Sequence, residues 1–72
     1  MDQPYFYEIR VDGQLTSRWS DWLEGLAVHA DSNGETTLSG WLADQAALYG
    51  VLAKIHALNL DLVSVNRSDH EA

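Results

Sequence analysis

Two periodicities and a short length predict an α+β fold. Across residues 44–59, Ala47, Leu48, Val51, Leu52, Ile55 and Leu58 recur at the spacing that lines one face of an α-helix. The segments on either side alternate in the two-residue rhythm of strands. A single amphipathic helix cannot hide its own apolar stripe, so it is expected to lie across a sheet. The chain has 72 residues and no cysteine, which makes one domain with a thin core and no disulfide to brace it.

The elements follow in order. Residues 5–11 alternate with Tyr5, Tyr7, Ile9 and Val11 on one side and Phe6, Glu8 and Arg10 on the other. Aromatic and β-branched residues suit a pleated surface, and Asp12-Gly13 ends the strand in a turn. In residues 17–25, Trp19, Trp22 and Leu23 stand at i, i+3 and i+4, the spacing of a short helix capped by Thr16 or Ser17 and stopped by Gly25. Two turns of helix need tertiary packing to persist. Residues 26–30 alternate again, Asp31-Ser32-Asn33-Gly34 supplies turn chemistry, and residues 35–40 resume an extended pattern, so this stretch is expected to be a β-hairpin. Gly40 marks where the chain is expected to bend out of the sheet.

Asp44 is the expected cap of the long helix, and Asn59 its left-handed terminator. Gly50 inside it costs roughly 1 kcal/mol relative to Ala, and a close backbone approach is the expected reason. Residues 61–67 form the last strand, with Val63 and Val65 toward the helix. Residues 68–72 are a polar tail. The order strand, short helix, strand, strand, long helix, strand is the ferredoxin-like β-α-β-β-α-β plan. It gives a four-stranded antiparallel sheet with one long and one short helix on one face, over residues 1–67. Should residues 17–25 be irregular, the plan becomes a four-stranded sheet with a single helix. With Tyr5, Tyr7, Ile9 and Val11 toward the helices, Phe6, Glu8, Arg10, His29, Thr37 and Ser39 share the uncovered face.

Charge narrows the functions. Eleven acidic and four basic residues give a net charge of −7. Such a surface repels a phosphate backbone and anionic lipid, so neither nucleic acid nor a membrane is an expected partner. Residues 1–4 have no basic region or apolar core of a signal peptide, and no apolar run approaches the ~20 residues of a membrane span. A soluble, cytoplasmic protein is expected, and the lack of cysteine fits that compartment.

No catalytic, cofactor or metal motif is present. Asp31-Ser32-Asn33-Gly34-Glu35 lacks the glycine position and the closing bidentate Glu of a calcium loop. Gly34, Gly40 and Gly50 form no phosphate-cradling pattern, and no serine lies in G-x-S-x-G. Asp69-His70-Glu71 reads as an acidic tail rather than a metal site, and His56 as a boundary residue near the end of the helix. His29 is the imidazole best placed on a strand to face a cleft. The tryptophans are the unusual investment. Core packing at the end of the sheet is the simpler role for Trp19, Trp22 and Trp41; an aromatic pocket or an interface is the alternative. Arg18 beside them suits a carboxylate or a ring face. The candidate ligand or interface residues are therefore Arg10, Arg18, Trp19, Trp22, His29 and Trp41.

The chain resembles a set of short, uncharacterised bacterial proteins. The resemblance rests on Tyr7-Glu8-Ile9-Arg10-Val11, Arg18-Trp19, Trp22-Leu23-Glu24-Gly25-Leu26, and the run Gly34-Glu35-Thr36-Thr37-Leu38-Ser39-Gly40. It continues through Asp44-Gln45-Ala46-Ala47-Leu48-Tyr49-Gly50, Lys54-Ile55 and Leu62-Val63-Ser64-Val65. It spans nearly the whole chain and implies no activity, so no site residue is carried over from it.

A thin core, surplus aromatics and an open sheet face make a small, non-enzymatic, self-associating interaction module the expected function, with a homodimer as the expected state. A cofactor-independent enzyme or small-ligand sensor with an aromatic pocket is the alternative. A basic protein partner docking on the acidic surface is a further option.

Overall fold

A computed structural model describes residues 4–68. The first and last residues of the chain, including residues 69–72 of the expected tail, lie outside that range. Strands β1 (Tyr5–Asp12), β2 (Ala27–Ala30), β3 (Glu35–Leu42) and β4 (Asp61–Ser68) form one sheet in the order β2-β3-β1-β4, with every neighbour antiparallel. One helix, α1 (Gln45–Ala57), connects β3 to β4. The alternation of β1 fixes its faces: Tyr7, Ile9 and Val11 are buried, while Glu8, Arg10 and Asp12 are exposed. Leu38 and Leu42 of β3 join them, and Leu48, Val51 and Ile55 of α1 close over that face. The carboxylate of Asp44 accepts from the Ala47 N–H at 2.9 Å, so the helix is capped as its sequence implies. Asn59 ends it at φ 63°.

The expected short helix over residues 17–25 does not form. Only Ser17–Trp19 makes a 3-10 turn, and Thr16 at its start gives no side-chain cap. The Ser20 hydroxyl donates to the Leu26 carbonyl at 2.7 Å, a local bond that competes with helix. Glu24 and Gly25 both take left-handed backbone, at φ 62° and 78°, so Gly25 does end the segment as its sequence implies. The segment instead buries Leu15, Leu23 and Leu26 on the face that α1 covers. The Thr36 hydroxyl ties it down. That side chain is fully buried, donates to the Gly13 carbonyl at 2.7 Å and accepts from the Leu15 N–H at 3.2 Å. The architecture is thus a four-stranded antiparallel sheet with one helix, not the two-helix ferredoxin-like plan.

Four smaller expectations also change. β3 does not leave the sheet at Gly40 but runs on to Leu42, and Gly40 pairs with Tyr7. A Cβ at Gly40 would stand 3.0 Å from Leu26 Cδ2, so glycine here lets Leu26 lie against the strand. Gly50 has no such reason: a Cβ there meets nothing within 4 Å. Val63 is 47 % exposed, because β4 slips register against β1 between Arg10 and Val11; Val65 alone of the two valines packs on the core. Ser68 belongs to β4 rather than to a tail.

Two substitutions in α1 should move stability in opposite directions. Gly50→Ala removes a helix-interior glycine into open space and should add about 1 kcal/mol, or about 4–8 °C in Tm. Asp44→Ala removes the cap and should cost about 1 kcal/mol. Thermal melts by circular dichroism check both signs.

Candidate functional site

The sheet has one face packed and one face open. The strand pairings bring Phe6, Glu8, Arg10 and Asp12 of β1 to the open face beside Thr37, Ser39 and Trp41 of β3. His29 of β2 stands opposite Thr37, and Ser64 and Asn66 of β4 stand opposite Arg10 and Glu8. No helix or strand among the described residues covers this face.

Its two ends differ in chemistry. At one end Phe6 and Trp41 are cross-strand partners, with ring centroids 5.6 Å apart and planes at 76°. This edge-to-face pairing is favourable beyond the area it buries. Trp41 remains 50 % exposed. At the other end Glu35, Asp12 and Asp61 stand in register across β3, β1 and β4, three carboxylates in a row. Arg10 offsets this row through Glu35, with Nε 3.7 Å from Oε1. Nearby, Asp31 accepts from the Thr37 hydroxyl at 2.9 Å and lies 3.8 Å from His29 Nε2. The Thr37 bond explains how an outward-facing threonine is nonetheless buried. His29 itself is solvent-facing.

The remaining candidates lie elsewhere. Arg18, Trp19 and Trp22 belong to the irregular segment, on the helix-covered side of the sheet. With Thr16 they line an open recess of about 540 Å³. Trp19 and Trp22 meet edge-on with centroids 5.6 Å apart. Lys54 of α1 clamps the second indole: its Nζ lies 5.5 Å from the ring centroid, donates to the Trp22 carbonyl at 2.8 Å and pairs with Glu24 at 3.3 Å. The three tryptophans are 36 %, 40 % and 50 % exposed, which overturns core packing as their role. Leu23 takes the buried position of the trio in their place.

The six candidates therefore form two groups. Arg10, His29 and Trp41 share the open face; Arg18, Trp19 and Trp22 share the recess. Sequence reasoning does not find Glu35 and Lys54 as partners, since each meets its partner from a distant part of the chain; Asp31, two residues from His29, is within local reach. Among the described residues no three His, Asp or Glu stand together as metal ligands, and every buried side-chain nitrogen or oxygen has a hydrogen-bond partner. No helix among the described residues is long and apolar enough to cross a membrane.

Residues 6–66 match the family model described as a domain of unknown function, DUF8691. The chain belongs to the DUF8691 family. The DUF8691 match begins in β1 and ends in β4, so it takes in the open face, the irregular segment and the helix. No curated protein and no solved structure matches the chain.

Like charges directly opposite each other weaken a sheet. Asp12, central in the carboxylate row, should therefore be replaceable at a gain: Asp12→Asn is expected to stabilise by about 0.2–1 kcal/mol at low salt. Added salt should shrink that difference. Denaturant melts of both proteins at two ionic strengths measure it.

Proposed function

We propose that this DUF8691 protein is a small, non-enzymatic interaction module that works as a homodimer. The observation that supports it is the open sheet face, with a half-exposed tryptophan seated on Phe6 and no helix or strand of the described residues over it. A large aromatic kept in water on an otherwise polar surface suits the centre of an interface. The size of the chain argues the same way, because association enlarges a core that a single short chain keeps small. A cytoplasmic location accords with a sequence that contains no cysteine.

A second reading has its own support. The Arg18, Trp19 and Trp22 recess combines two ring edges with a guanidinium, which suits a planar or carboxylate-bearing small molecule. On that reading the protein is a ligand sensor or a cofactor-independent enzyme.

Size-exclusion chromatography with light scattering tests the first proposal. A dimer mass at tens of micromolar, falling toward monomer on dilution, is the expected result; a monomer mass at every concentration rejects it. Tryptophan fluorescence tests the second. A saturable response to a metabolite, lost in Arg18→Ala, supports it, and no response across a broad metabolite panel counts against it.

A further inference from the structure

We infer that the recess lined by Thr16, Arg18, Trp19 and Trp22 takes a small aromatic monocarboxylate, its ring against the indoles and its carboxylate on the Arg18 guanidinium. The inference rests on the ligand-binding reading given second above and narrows its ligand class. It does not depend on the homodimer.

The charge inventory singles out Arg18. The chain sets four lysine and arginine residues against eleven acids. Arg10 pairs with Glu35, Lys54 pairs with Glu24, and Arg67 lies over the Tyr5 ring at 4.4 Å. Arg18 is exposed and, among the described residues, has no ion pair, hydrogen bond or ring contact. In so acidic a chain, the one guanidinium left unmatched stands beside two indoles. The Thr16 hydroxyl is also unused, because Thr16 serves the 3-10 turn through its carbonyl and not its side chain. Both groups donate hydrogen bonds, and a carboxylate accepts them. The planar fork of an arginine meets a carboxylate through two parallel bonds.

The indoles decide the rest of the ligand. Trp19 and Trp22 cross at 62°, so the pair offers ring face and ring edge in one corner. Aromatic rings favour offset and edge-to-face contact, and a third ring suits that corner. The recess, at about 540 Å³, has the size of a small-molecule site.

Other ligand charges fit worse. A cation would meet both Arg18 and the Lys54 ammonium, which already stands 5.5 Å from the Trp22 centroid. A polyphosphate would bring several negative charges to one free guanidinium on a protein of net charge −7. A monoanion matches one charge with one charge. An aliphatic acid would use Arg18 and leave both indoles in water.

Phenylacetate is the probe, with phenylacetamide, phenethylamine and acetate as its matched controls, each titrated against tryptophan fluorescence. Phenylacetate should give a saturable response with a Kd on the order of 1 mM. The amide and acetate should each bind about tenfold more weakly. Arg18→Ala should remove the preference for acid over amide, and Arg18→Lys should restore part of it. Trp19→Ala should weaken acid and amide alike, by about fivefold. Both side chains are exposed, so circular dichroism melts of these variants should overlay the native melt. An amide or amine that binds as tightly as the acid overturns the carboxylate and leaves the recess a ligand site. Acetate binding as tightly as phenylacetate overturns the ring in the same way. Binding that survives unchanged in both Arg18→Ala and Trp19→Ala lies outside the recess and overturns the inference. Silence from all four probes also overturns it; silence from the metabolite panel as well removes the ligand-binding reading.

Discussion

The half of the sheet beneath β2 and β3 stays dry because Leu15, Leu23 and Leu26 enter it from a segment with little regular structure. A sheet face must be covered by something, and one helix of thirteen residues is too narrow to cover four strands. The irregular segment supplies the remainder. Its backbone gains few repeating hydrogen bonds, so individual contacts hold it: the buried Thr36 hydroxyl at one end, the Ser20 hydroxyl in the middle and Lys54 at the other. Losing Leu23 would open a cavity in the middle of this cover, a change that typically costs about 2–5 kcal/mol. A domain of this size has little more than that to lose.

The same arrangement explains why Trp19 and Trp22 end up in water. In a regular helix, residues at i, i+3 and i+4 share one stripe and would have gone inward together. With the helix replaced by turns, that phase relation is lost, and only Leu23 reaches the core. The indoles are held at the surface by each other and by Lys54. On the opposite face Trp41 is outward for a different reason. Gly40 lets β3 continue while Leu26 packs beneath it, and the next residue in the alternation must point away from the helix. Two surfaces of different chemistry therefore arise from two causes, the loss of helix in one segment and the alternation of β3 in the other.

Where local rules govern, the residues announce their structure. The alternation of β1, the turn at Gly34, the cap at Asp44 and the stop at Asn59 all depend on neighbours within a few positions. The apolar spacing of a short helix is also satisfied by a segment that inserts one leucine at a time. The Ser20 hydroxyl bond to the Leu26 carbonyl competes with the helix, and apolar spacing gives no warning of it. Gly40 read as a break because its partner in close contact, Leu26, is distant in sequence. Gly50 read as a packing device, yet nothing lies near it. For the candidate site, residue types picked out Arg10, His29 and Trp41, and Arg18 with Trp19 and Trp22. The division of the six between two sides of the sheet follows from strand pairing, which no local pattern encodes. The carboxylate row is a product of that pairing too.

Lys54 has a dynamic consequence. It reaches from the third turn of α1 to both the carbonyl of Trp22 and the carboxylate of Glu24. The loop cannot lift off the sheet without releasing the helix, and the helix cannot fray back past Lys54 without unlatching the loop. Two elements distant along the chain thus brace each other through one side chain.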